Sequence, residues 1–455
     1  MTDDSSALFC PLEYRYGRSR VRELFSRDAR LRRALRVEAA LADAEAELGW
    51  IPAADAAAIG KAALSGAVTV ERVEEIERTT HHDVMAITRA LAEASGPAGR
   101  WVHYGATSAD ITDTALALEL QECLAILRAD LTELGGVLLD GAREHRATPE
   151  VGRTHGQHGV PITFGYKLAV AAAEVARHRV RLDELAPRLA VGKMAGAVGT
   201  GAGFGAHAVG VEEGVMRRLG ITAEEAPTQL VGRDRLAEFM NFLALVASTA
   251  ERLSTEVRNL QRTELAEVTE PFDEAGQVGS STMAQKRNPI VSENVTSLSR
   301  LVRALALPTL ENMAQWHERD LTNSANERIV VPHAILLTDD LLAKLADVFR
   351  GLQVHTERMA VGLAAAGGTA MTESLMLALT AAGMPRAEAH EALRRLTQHA
   401  QDGPSLAERA HADPAIRGRL SAEEIDRRLD PAAYVRAATE KTDRIVRRLE
   451  RTFAT

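Results

Sequence analysis

Leucines fall at positions 120, 124, 127, 131, 134 and 138, a spacing of 4, 3, 4, 3, 4 that draws one apolar seam down a helix. Continued to about Arg146, this helix spans on the order of 50 Å at ~1.5 Å per residue, a length suited to a bundle spine. The same period runs through Leu236, Met240, Leu243, Ala247, Leu253, Val257 and Leu260. An Ala-rich spine is predicted from about Thr163 to Leu185, and a last one ends near Phe349, with Pro308 kinking or ending the helix before it. Nearer the N-terminus, Val37, Leu41, Ala44 and Leu48 mark a helix that starts after Ser26, a suitable N-cap, and stops at Gly49; a shorter helix follows Pro52. No stretch alternates with the period of two that a strand requires, and no repeat of 20–50 residues is evident.

The pattern predicts an all-α fold: a central long-helix bundle over residues 105–350 between smaller helical domains at 1–104 and 351–455, the last more charged and broken by Gly and Pro. The spines are apolar over arcs wider than one chain needs, which predicts burial against partner subunits. Composition agrees, since aromatics make up only 4% and Leu, Ala, Glu and Arg dominate the long stretches. Cys10 and Cys123 are the only cysteines, too few for a disulfide framework and without zinc-ligand spacing. The first six residues, Met-Thr-Asp-Asp-Ser-Ser, are acidic where a secretory signal is basic and then apolar, and no run of 18 apolar residues follows. A soluble, cytoplasmic protein is expected. A net charge of −9 argues against a general affinity for nucleic acid.

The densest chemistry lies in Gly276-Gln-Val-Gly-Ser-Ser-Thr-Met-Ala-Gln-Lys-Arg-Asn-Pro289. Gly276 and Gly279 let the backbone of Ser280 and Ser281 approach a ligand closely, Lys286 adds a cation, Asn288 an amide donor, and Pro289 pre-sets φ for a helix. This is an anion-handling loop. Three more polar segments precede helices: Glu77-Arg-Thr-Thr-His-His-Asp-Val84, His103-Tyr-Gly-Ala-Thr-Ser-Ala-Asp110 and Arg153-Thr-His-Gly-Gln157. Their histidines and hydroxyls are suitable as caps or surface groups, and Thr107 and Ser108 combine hydroxyls with helix N-terminal N–H groups, which suits a carboxylate. The glycines between 192 and 205 have no strand before them and no Gly-Lys-Ser/Thr ending, so they are not a nucleotide P-loop.

The loop at 276–289 resembles the Gly-Ser-Ser-x-Met-Pro-x-Lys-x-Asn signature of the fumarase/aspartase superfamily, lyases that eliminate across a succinyl unit and release fumarate; Ala284 stands where the signature usually has proline. The resemblance implies that Ser280 takes a proton from carbon and that Lys286 and Asn288 hold a substrate carboxylate beside Ser281. Along almost the whole chain the sequence is most similar to adenylosuccinate lyases. There Thr-x-His-Asp-Val implies an active-site role for His82, and Thr-His-Gly-Gln makes His155 the general acid, with Thr154 beside it. Glu293 corresponds to the glutamate that pairs with that histidine, raising its pKa and fixing its tautomer. His103, Thr107, Ser108 and Gln229 correspond to substrate contacts, and Arg15, Tyr16, Arg319, Ser324 and Arg328 to residues that hold a nucleotide phosphate, although any single Arg is suitable as a surface charge. The family implies a homotetramer whose active sites combine segments from three chains, with no cofactor and no metal. Ala284, Gly159 and Ile162 depart from the family pattern and keep a second reading open: a paralogue acting on another succinate, such as a nitrosuccinate lyase. A cycloisomerase, an argininosuccinate lyase and a non-enzymatic structural descendant are further alternatives.

Overall fold

Residues 10–365, 367–398 and 403–454 are described in a computed structural model; the acidic N-terminal hexapeptide lies outside them. Helices form where the apolar period demands them. Ser26 Oγ accepts the Ala29 N–H at 3.2 Å and caps Arg27–Glu47, whose stripe of Val37, Leu41 and Ala44 is buried, while Leu48 just beyond the end is exposed. Ala53–Leu64 follows Pro52. The six seam leucines sit on Ser108–Glu144, and each is at most 4% exposed. Burying a leucine contributes on the order of 2 kcal/mol, against helix-propensity differences of ~0.5 kcal/mol, so packing defines the seam. The other spines are Phe164–Leu189, Asp234–Leu260, Ile290–Glu311 and Ser324–Arg350. Pro308 lies inside Ile290–Glu311, and the helix ends within a turn of it. Among the described residues no helix is long and apolar enough to cross a membrane.

The expectation of no strands is corrected at one place that matters. Pro149–Thr154 and Gln157–Thr163 pair as an antiparallel hairpin, Glu150 opposite Ile162 and Thr154 opposite Gln157. Its period is hidden in the sequence because the register shifts between Val151 and Arg153, and a bulge breaks the two-residue alternation. Gly152 is required there: a Cβ would lie 2.5 Å from the Val160 carbonyl oxygen. Two further pairs, each of two-residue strands, join Val191–Gly192 to Thr222–Ala223 and Val268–Thr269 to Gln353–Val354. A short strand therefore does precede the glycine-rich segment.

The chain divides into two compact units. The first comprises Met1–Asp130, His178–Ser248 and Ser297–Leu342. Its N-terminal helices pack around Leu35, Ile59, Leu91 and Ala86, and a second core joins Val37 and Leu41 to Ile111, Leu118, Phe204 and Val215. The second comprises Leu131–Arg177, Thr249–Thr296 and Ala343–Thr455. Its C-terminal helices pack around Leu375, Leu379, Leu393, Ile416 and Ile425, and an amphipathic helix, Arg436–Phe453, follows.

Candidate active site

In the second unit the signature segment is an irregular loop that runs from the strand Val268–Thr269 to the helix Ile290–Glu311. It folds on itself. The Asn288 side-chain amide donates to the Gly279 carbonyl at 3.1 Å, and the Lys286 N–H donates to the Met283 carbonyl at 3.0 Å. Gly279 faces the Lys286 carbonyl so closely that a Cβ would sit 2.2 Å from that oxygen, so only glycine fits. At the centre of this fold, Ser280 Oγ accepts the N–H groups of Thr282 at 3.3 Å and Met283 at 3.1 Å. Two N–H dipoles aimed at one hydroxyl oxygen favour negative charge on it, which a serine must carry to act as a base. Ser281 and Lys286 are exposed, and Ala284 lies between them with its backbone free of proline's restraint. Glu270, almost fully buried, accepts Val291 N–H at 3.1 Å and Ser292 N–H at 3.2 Å, and so caps the following helix, which carries exposed Glu293 in its first turn.

His155 belongs to the same unit and occupies the tip of the hairpin. With Gly156 it forms the two-residue connection, φ +56° and +74°, the pair of left-handed residues that a type I′ turn needs. A histidine in that region is strained by roughly 1–3 kcal/mol, and the hairpin must hold it there. Arg153 does part of this by donating to both oxygens of Glu267, at 2.8 and 2.6 Å. Thr154, His155 and Gln157 are all exposed. Among the described residues no hydrogen bond or ion pair joins His155 to Glu293 or to Ser280 within the chain.

The remaining candidates lie in the first unit. His82 caps Asp83–Ala94, its Nδ1 accepting the Met85 N–H at 3.3 Å. Asp83 binds Arg328 Nη2 at 2.6 Å. Burial works against ionisation of Asp83, but this guanidinium and the Val84 N–H hold its carboxyl below the usual range. His103, at φ +64°, starts the turn before Ser108–Glu144 and bonds Glu38 through Nδ1 at 2.7 Å. Asp110 accepts the Thr107 N–H at 2.8 Å and is itself clasped by the buried Lys193 ammonium and the N–H groups of Ala195 and Gly196. Thr107 and Ser108 are thereby held half-buried at the helix start. Gln229 accepts from Arg319 at 2.8 Å and donates to the Ala197 carbonyl at 2.7 Å. Arg15 lies over the Tyr16 ring, and Gly17 (φ +81°) packs against Leu336, where a Cβ would meet its side chain at 2.3 Å. Ser324 and Arg328 stand on the first turns of Ser324–Arg350.

Spacing alone missed the residues that hold these segments in place. Arg233 donates to both oxygens of Asp113, at 2.7 and 3.0 Å, and to Glu327 at 3.0 Å. Burial opposes its charge, and the two carboxylates more than offset that. Asp113 lies one turn beyond Thr107 and Ser108, and Glu327 precedes Arg328, so one guanidinium ties together the starts of two helices that carry candidate site residues. The only signal was Arg233-Asp234-Arg235 in a polar stretch. Nothing local points to Asp113 or Glu327 as its partners.

Residues 13–304 match the family model described as lyase, and residues 368–445 match the model of the adenylosuccinate lyase C-terminus. The chain is 45% identical over 441 residues to an adenylosuccinate lyase of Pyrococcus abyssi, covering 97% of this chain and 98% of that protein. Among solved structures it is similar to a fumarate lyase from Mesorhizobium sp. BNC1, with a TM-score of 0.87, 32% identity, and 94% and 98% of the two chains covered. It is also similar to a 3-carboxy-cis,cis-muconate lactonizing enzyme from Pseudomonas putida, with a TM-score of 0.88, 34% identity, and 98% and 99% covered. With the signature loop, the long-helix architecture and these matches together, the chain belongs to the lyase family of the fumarase/aspartase superfamily, among its fumarate-releasing carbon–nitrogen lyases.

Proposed function

We propose that this lyase is a cytoplasmic adenylosuccinate lyase, converting adenylosuccinate to AMP and fumarate and acting on the related succinyl intermediate of purine synthesis. The near full-length identity to adenylosuccinate lyases carries this reading. Ser280 removes a proton from the carbon beside a carboxylate, and the electron pair is held as an aci-carboxylate by Lys286, Asn288 and Ser281. As the C–N bond breaks and the C=C bond of fumarate forms, His155 gives its proton to the departing nitrogen. Glu293 fixes His155, and His82 and Thr154 line the reacting centre. Thr107 and Ser108 offer hydroxyls and N–H groups to the second carboxylate, with Gln229 beside them. Arg15, Tyr16, Arg319, Ser324 and Arg328 hold the phosphate, and His103 is a further substrate contact.

Among the described residues no hydrogen bond or ion pair joins the acid to its carboxylate within one chain, which supports a homotetramer with shared sites, as do Val170, Leu245, Leu301, Leu307 and Ile329, large apolar side chains left exposed on the spines. Mixing inactive Ser280→Ala and His155→Ala proteins under conditions of subunit exchange is expected to restore about a quarter of the sites, since statistical assembly gives that share both intact residues. Proven exchange without recovery sinks the shared-site proposal.

Arg328→Ala is expected to raise KM for adenylosuccinate by ~10-fold or more with a smaller effect on kcat, because a phosphate contact is alike in the ground and transition states. The experiment follows fumarate release from adenylosuccinate, aspartate and nitrosuccinate in parallel. Faster turnover of nitrosuccinate, indifferent to the substitution, transfers the assignment to a nitrosuccinate lyase, the reading that Ala284 keeps open.

A further inference from the structure

His103 is held from behind by a group to which the reaction gives no part. Glu38, on the helix Arg27–Glu47, is 1% exposed, and its Oε1 lies 2.7 Å from His103 Nδ1. A buried carboxylate at this distance accepts the Nδ1–H, which leaves Nε2 as the ring atom available to a ligand. The turn is braced on its other side, where the Ala106 N–H donates to the His103 carbonyl at 3.3 Å and Asp110 takes the Thr107 N–H. The backbone of His103 is also locked in the left-handed region at φ +64°, an uncommon conformation for a residue with a side chain.

We propose that Glu38 is a positioning residue that holds His103 through Nδ1, so that Nε2 is presented to the anionic group of the substrate. The inference rests on the assignment of His103 to the substrate. The charged groups facing the imidazole are Glu38 from the first long helix and Asp110 from the start of Ser108–Glu144, the latter neutralised in part by Lys193. Burial disfavours the imidazolium, but the Glu38 hydrogen bond and the charges of Glu38 and Asp110 outweigh it and raise the pKa of His103. Glu45, two turns along the same helix and fully buried with no hydrogen-bond partner among the described residues, is pushed up to about 8 by burial and by the charge of Glu38. It is therefore mostly neutral at pH 7 and leaves Glu38 as the carboxylate that His103 meets. A raised histidine pKa means that the cation is fully present below the ordinary range and is lost only as pH climbs through the folded value. Affinity for an anion should follow the same course.

The test is Glu38→Gln, close in shape but uncharged, with His103 titrated by NMR in full-length protein carrying 13Cε1-histidine, its signal assigned by its loss in His103→Gln. The expected result is a fall of about one unit or more in the His103 pKa. The rise of KM with pH should move to lower pH by the same amount, with kcat little changed at low pH. Glu38→Asp, which retains the charge, should restore part of the shift. A purely structural Glu38 would lower the melting temperature and leave the His103 titration where it was, and that outcome overturns the proposal. If the titration moves while the KM profile does not, Glu38 governs the imidazole but the assignment of His103 to the substrate fails. Should Glu38→Gln not fold, Glu38→Asp carries the titration by itself, and an unshifted pKa there, with the carboxylate drawn back by one methylene, counts against the proposal.

Discussion

Ser280→Ala is expected to lower fumarate release by ~10³-fold or more while the protein stays folded, a loss of the size that removal of a positioned proton-transfer group brings. Ser280 is in an irregular loop and fills no core, so the substitution loses only the acceptor for the Thr282 and Met283 N–H groups. Both lie in an exposed loop where water can replace it, at a cost near 1 kcal/mol. The melting temperature should barely move. Retention of more than about a tenth of the activity, ~1.4 kcal/mol in the barrier, would be incompatible with Ser280 as the base. Ser281→Ala provides the internal comparison, because no loop N–H is aimed at the Ser281 hydroxyl among the described residues, and its effect should be smaller. Gly279→Ala should resemble Ser280→Ala in turnover without touching the hydroxyl. Its Cβ would overlap the Lys286 carbonyl at 2.2 Å and force the loop that aims the two N–H groups to open.

Arg233→Ala is expected to have the largest effect on stability. Arg233 and Asp113 have side chains only 8% and 5% exposed, and the substitution strands two carboxylates in a site that water reaches poorly. Breaking a buried pair from one side costs about 3–5 kcal/mol. Arg233→Lys should not rescue it, since an ammonium cannot meet both Asp113 oxygens and Glu327 with the same planar fork. Denaturant unfolding at fixed protein concentration measures this, and a loss below about 1 kcal/mol would contradict the account. The helix starts at Ser108 and Ser324 are both tied to Arg233, so substrate affinity should fall even where the variant remains folded.

Much of the helical scaffold was legible because helical order is local. The 4, 3, 4, 3, 4 leucine spacing, the Ser26 cap and the Gly49 stop each act over a few residues, and each appears at its place in the structure. The signature loop was legible for a different reason, since close backbone approach demands glycine at Gly279 whatever surrounds it. The hairpin under His155 was not. A bulge at Gly152 breaks its alternation, and His155-Gly156 makes a turn that more often uses Asn-Gly. Pro308 was legible as well, since its helix ends at Glu311, within a turn of it. Partners far apart in the chain were beyond reach altogether: Arg233 and Asp113 are separated by 120 positions, Arg153 and Glu267 by 114, and His103 and Glu38 by 65. Sequence by itself determined which segments are helical and which loop bears the lyase signature, because periodicity and glycine act through neighbouring residues. Only the tertiary structure decided how the site histidines and helix starts are held, because buried charges take whichever partner the packed helices bring within hydrogen-bonding distance.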